Sequence, residues 1–281
     1  TVVNANTAAG LETLIGIRGR DFVLLGADTA VGPGVIWTAT AVDKIAVLGP
    51  NSLVAAVAGN AADSDRLVGW LQAQATLYEY EQGLGTDVEY INMMSGGGNS
   101  EEEPASLLST TMGHTTTYTV TQMAQLARSQ IAQQLRTRSP FQVCLLVAGF
   151  QPGPAPVDEV WTSRLQYQVA QASLAGEKQL EKSSNMNEDN EHDSSLQQHP
   201  RLFWLDELGT LQDVPYAAHG IGSMFMYSIL DNGYKADLTR DEACVLMRKC
   251  FAQLRQRYAV QTPHPPCLKC IYKDGVQLLE P

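Results

Sequence analysis

Apolar residues run from Thr13 to Arg18 and again from Phe22 to Asp28, separated by Gly19, Arg20 and Asp21, a spacing that predicts a β-hairpin. A second pair follows at Lys44–Leu48 and Leu53–Ala58, around the turn formers Gly49, Pro50 and Asn51. Then the period lengthens. Leu67, Trp70, Leu71, Gln74 and Tyr78 recur every three or four residues behind Asn60, whose short polar side chain suits a helix N-cap. Val120, Met123, Ala124, Ala127, Ile131 and Leu135 predict a second helix, and Ser139 before Pro140 favours a stop there. Strands return at Val143–Phe150 and at Leu202–Asp206, the latter placed to pair with the stretch after Gly209. A short helix around Met224–Leu230 closes on Asp231, Asn232 and Gly233, and another opens at Thr239 with Glu242 three residues on, a capping box. Its apolar face is Ala243, Leu246, Met247, Cys250, Leu254 and Tyr258, and strands near Leu268–Tyr272 and Val276–Leu279 follow. Strand groups joined by hairpins and interleaved with helix pairs predict two mainly antiparallel sheets packed together, with helices on the outer faces.

Composition narrows the class. The 281 residues are 44% hydrophobic and 17% charged, the balance of a globular protein, and no run of 18 apolar residues offers a membrane span. A net charge of −11 argues against nucleic acid as a partner. Two segments, 83–117 and 151–200, each carry −5 of that charge and show little apolar periodicity, so they read as largely flexible, solvated insertions in a near-neutral domain. Disorder is expected most between Lys178 and Gln198. The odd count of five cysteines suggests reduced thiols and hence the cytoplasm or nucleus, and Thr1–Gly10 shows no secretory signal.

Particular residues carry a family likeness. Leu14-Ile-Gly-Ile-Arg18, Val23-Leu-Leu-Gly-Ala-Asp28, Asp43-Lys-Ile45, Ala58-Gly-Asn-Ala-Ala-Asp63 and Ala218-His-Gly-Ile-Gly222 resemble proteasome beta subunits. Arg136-Thr-Arg-Ser-Pro140, Leu145-Leu-Val-Ala-Gly149, Ser228-Ile-Leu-Asp231 and Leu246-Met-Arg-Lys-Cys250 look most like beta type-2, the fourth beta position of the ring. The resemblance implies an α+β fold, the four-layer αββα sandwich of N-terminal nucleophile hydrolases, spanning 12–281 behind an N-terminal extension at 1–11. It also implies partners: other beta subunits in a heteroheptameric ring, the second beta ring and alpha-ring subunits, in a core particle for ATP- and ubiquitin-dependent protein degradation.

Active members of that family use an N-terminal threonine, its own free amine as base and a nearby lysine. By the resemblance, Asp28 matches the family aspartate, Lys44 the active-site lysine and Gly59 the glycine whose N–H forms the oxyanion hole. Counting back without a gap places Glu12 where the threonine belongs, and a carboxylate inside a chain has neither hydroxyl nor free amine. The family's Gly-Ser-Gly reads Gly220-Ile221-Gly222, and Gln261–Pro266 is unlike the motif expected after Tyr258. Glu12, Asp28, Lys44, Gly59 and Ile221 therefore read as a vestigial pseudo-site, with Lys44 paired to Glu12 or Asp28, in a non-catalytic subunit.

The competing reading is an active threonine peptidase. Thr1 could serve as its nucleophile on an extension reaching roughly 36 Å, but a loose tail does not hold attacking geometry. Thr13 would need a cleavage to expose it. His264, Cys267 and Cys270 have the spacing of half a zinc site, yet in a strand the two thiols face opposite sides. Gly220 and Gly222 lack the third glycine of a nucleotide cradle, and His219 reads as a packing residue. No cofactor and no metal are expected.

Overall fold

The computed structural model describes residues 12–32, 38–49, 53–95, 118–153, 198–258 and 264–279. One sheet holds β1 (Thr13–Arg18), β2 (Val23–Ala27), β8 (Tyr216–Gly220), β9 (Cys267–Tyr272) and β10 (Gly275–Leu279), in the order β10-β9-β2-β1-β8. The other holds β3 (Ile45–Gly49), β4 (Leu53–Gly59), β5 (Val143–Pro152), β6 (Gln198–Leu205) and β7 (Leu211–Asp213), in sequence order. Every pairing is antiparallel. Four helices lie among the described residues: α1 (Ala61–Ser95), α2 (Val120–Gln134), α3 (Ser223–Gly233) and α4 (Arg240–Tyr258).

Strand alternation explains why the chain makes four layers. Leu14, Val23 and Leu25 meet Val54, Ala56, Leu146 and Leu202 between the sheets. Their neighbours Ile15, Ile17 and Leu24 face the other way, onto Met226 and Leu230 of α3 and Ala243, Met247 and Cys250 of α4. On the second sheet Ala55, Val57, Leu145 and Val147 turn outward onto Leu67 and Leu71 of α1 and Met123, Ala127 and Ile131 of α2. Strands apolar on both faces require cover on both, which gives three apolar cores in an αββα stack. An ion network ties the sheets together, since the buried Arg18 reaches Asp213 at 2.7 Å and Arg201 takes that residue's other oxygen at 2.6 Å.

The capping expectations hold. Asn60 Oδ1 accepts from the main-chain N–H of Ala62 at 3.0 Å. At α4, Thr239 N–H donates to Glu242 Oε2 at 2.9 Å, which holds the Glu242 carboxyl below its ordinary value. Two expectations need correction. The 83–117 and 151–200 segments are not irregular throughout: α1 runs on to Ser95, and strands β5 and β6 take the two ends of the 151–200 segment. The remainder of both segments, including most of Lys178–Gln198, lies outside the described residues, as does the 1–11 extension with Thr1. Helix α2 stops at Gln134, before Ser139, because Thr137 turns back to give Gln134 O both its N–H, at 2.9 Å, and its hydroxyl, at 2.7 Å.

Candidate functional site

Lys44 sits just before β3 and projects to the mouth of the β1–β2 hairpin. Its ammonium has three donors and meets three acceptors: Asp28 Oδ1 at 3.0 Å, the Ala30 carbonyl at 2.6 Å and Glu12 Oε2 at 3.2 Å. Asp28 follows β2, and its Oδ1 also accepts the Thr13 main-chain N–H at 2.7 Å, while the Asp28 N–H returns to Thr13 O at 3.1 Å. Glu12 stands at the entrance to β1, and its Oε2 accepts the Gly59 N–H at 3.2 Å. Gly59, at the end of β4, holds φ of 136°, a backbone that glycine adopts without strain and that aims its N–H into the site. The expected group of Glu12, Asp28, Lys44 and Gly59 is thus brought together from two sheets.

Gly220 completes the wall. It pairs with Thr13 across β1 and β8 at φ +95°, and a Cβ there would lie 1.7 Å from the Glu12 carbonyl oxygen. Ile221 follows, half-buried in the turn before α3. The Ala30 carbonyl and the Thr13 N–H were not foreseeable as ligands, because main-chain groups carry no sequence signal.

Glu12, Asp28 and Lys44 are all buried. Burial pushes both the Glu12 and the Asp28 carboxyl above their ordinary values, and Lys44, with the main-chain donors, offsets part of this. One ammonium serves two carboxylates, so the cluster has an excess of negative charge. It also has no poised nucleophile among the described residues. The Thr13 hydroxyl is buried without a hydrogen-bond partner, and its nitrogen is a main-chain amide already committed to Asp28.

The other sequence candidates are dispersed. Cys270 packs in the helix-facing core and Cys267 against the core between the sheets, so the two thiols do not converge on one ion. His219 is buried, stacks on Trp204 with ring centroids 5.0 Å apart and places Nε2 3.1 Å from Leu145 O. The carbonyl can only accept, so Nε2 carries the proton.

That histidine gives the chain a measurable pH dependence. Burial lowers its pKa to about 4, so the unfolded chain binds a proton between pH 6.5 and 4 that the folded chain refuses, and stability is lost as pH falls through this window by about 3 kcal/mol. Glu12 and Asp28 act in the opposite sense, because their raised pKa values make the fold favour protonation. Comparing urea melts of the wild type and His219→Gln at pH 7 and 4.5 isolates the histidine. The variant should lose markedly less stability on acidification, and parallel losses would refute the assignment.

The family model described as proteasome subunit matches residues 8–96 and 195–263, more than half of the chain. A probable proteasome subunit beta type-4 of Schizosaccharomyces pombe is 26% identical over 267 residues, covering 95% of this chain and 98% of its own length. Proteasome subunit beta type-2-A of Arabidopsis thaliana is 24% identical over 267 residues, 95% of this chain and 92% of that protein. Proteasome subunit beta type-2 of Trypanosoma brucei brucei reaches 40% identity over 79 residues, 28% of this chain and 38% of its length.

Proposed function

Since the chain belongs to the proteasome subunit family, we infer that it serves as a non-catalytic beta subunit of type 2/4, helping to close the proteolytic chamber rather than cutting peptides. The observation that carries this reading is the Glu12 carboxylate on the Gly59 N–H. An oxyanion hole works by presenting donors to developing negative charge. Here the donor that the family resemblance assigns to that role already holds a carboxylate, and the same carboxylate takes the lysine that would assist a nucleophile. A substrate oxyanion placed there would meet repulsion instead of stabilisation.

An inert copy remains useful in a heteromeric ring, where each position needs a surface that fits its neighbours whether or not it has chemistry. The partners in this reading are the other beta subunits of its ring, the second beta ring and the alpha ring. The odd count of five cysteines supports a reducing compartment, the cytoplasm and nucleus.

The test is covalent labelling of purified core particles with a peptide epoxyketone. Adducts are expected on other beta subunits of the same particle and none on this chain by intact-mass spectrometry. An adduct on Thr1, Thr13 or any other threonine of this chain would establish the peptidase reading instead.

A further inference from the structure

The Arg136-Thr-Arg-Ser-Pro140 motif joins α2 to β5 and takes no part in the cluster around Lys44. All five of its residues are exposed. Arg136 and Arg138 form no hydrogen bond or ion pair among the described residues, and Arg66 of α1 comes beside the loop, its Cζ 5.7 Å from the Phe141 ring centroid. Asp63 also touches the segment, its Oδ2 accepting from Gln142 N–H at 3.2 Å. The two hydroxyls of the motif differ. Thr137 gives its hydroxyl to Gln134 O at 2.7 Å, whereas that of Ser139 makes no hydrogen bond among the described residues. The main chain differs in the same way. Thr137 N–H donates to Gln134 O at 2.9 Å and Gln142 O accepts from Asn60 N–H at 2.8 Å, but between them Arg138, Ser139 and Phe141 make no main-chain hydrogen bond among the described residues. Pro140 has no N–H to satisfy and disfavours a helical backbone at Ser139. Along the 281 residues, Ser139 is the only serine or threonine with an arginine three positions before it, and a proline follows it directly.

We propose that Ser139 is a phosphorylation site, for a protein kinase that selects arginine three residues before the acceptor and proline directly after it. A kinase takes its acceptor segment extended, with hydroxyl and main chain free, and discriminates substrates by the charge pattern around the acceptor. This segment meets both demands, since only the two Thr137 bonds at the end of α2 have to open, and helix ends open at little cost. Phe141, which is buried, anchors the loop just beyond the proline. In the reaction the Ser139 oxygen attacks the γ-phosphorus of ATP, the bond from that phosphorus to the β-bridging oxygen breaks to release ADP, and the hydroxyl proton passes to the kinase's catalytic aspartate. The product carries about −1.5 to −2 charges at pH 7 and three acceptor oxygens. At the carbonyl end of α2 that charge is unfavourable by itself, and the unpaired guanidinium groups of Arg136 and Arg138 offset it.

The proposal does not depend on catalytic inertness, and its test is separate from epoxyketone labelling. The full chain is incubated with ATP and a proline-directed kinase of the arginine-selective class, and the modified position is read by tandem mass spectrometry. One phosphate is expected on Ser139 and none on Thr137. Arg136→Gln should slow the reaction about tenfold by removing one charge-assisted contact to the kinase, and Ser139→Ala should abolish it. Both changes are at exposed positions, and unchanged thermal melts would show that the variants fold. Modification of Thr262, which also precedes a proline but lacks the arginine, in preference to Ser139 would overturn the proposal, as would a rate indifferent to Arg136→Gln. The same phosphopeptide should be found in the chain isolated from its own cells with phosphatases inhibited, from assembled particles and unassembled chain together. Its absence from both pools would also overturn the proposal.

Discussion

Replacing Lys44 with methionine is expected to destabilise the chain by about 3–5 kcal/mol at neutral pH, the usual consequence of removing one partner from a buried ion cluster. Methionine fills similar volume, so the loss is not one of packing. It leaves the buried Glu12 and Asp28 carboxylates without their cation and the Ala30 carbonyl without its donor. Both carboxyls are already raised by burial, and without Lys44 they rise further. The variant should therefore recover stability on acidification from pH 7.5 to 5, where the two acids can be neutralised, to a greater extent than the wild type. Glu12→Gln alone should cost far less, because it removes one of two charges competing for one ammonium. Urea melts of the three chains at both pH values check this ordering, and a Lys44→Met chain within 1 kcal/mol of wild type would show that the cluster is not held by its cation.

Gly220→Ala should cost about 3 kcal/mol or more and in practice abolish incorporation, because strain and collision act on the same atom. The residue is at φ +95°, where a side chain is strained, and the new methyl would lie 1.7 Å from the carbonyl oxygen of Glu12, a main-chain atom fixed by the β1–β8 pairing. Two other glycines serve as comparisons. At Gly222 the nearest obstacle is Leu254 Cδ1 at 2.6 Å, the end of a flexible side chain, so Gly222→Ala should be milder. At Gly69, on α1, nothing lies within 4 Å, and Gly69→Ala should gain up to about 1 kcal/mol of helix propensity. Thermal melts of the soluble chains should rank them in this order. A Gly220→Ala chain that melts like Gly222→Ala would mean that β1 can move away from β8.

The layering was legible in sequence because hydrophobic period is a local property. Strand runs such as Val23–Ala27, helical stripes such as Met123–Ile131, and caps such as Thr239 with Glu242 each depend on residues within a few positions of one another. The carboxylate at position 12 was legible too, once the spacing to Asp28 and Lys44 had been counted against the family pattern. Where apolar period faded, the reading was less secure. From residue 83 the sequence reads as a flexible insertion, because the acids and glycines in the last third of α1 mask a helix that its first turns propagate.

Distances between elements were decided by tertiary structure alone. The sequence offered Glu12 or Asp28 as the partner of Lys44, and packing of the two sheets gave it both, along with a main-chain carbonyl that no side-chain pattern announces. Sequence determines which groups want burial, pairing or a cap, since those preferences reside in single residues and their near neighbours. Which buried charges share one counterion depends on ångström separations set by close packing, and these exist only in the folded chain.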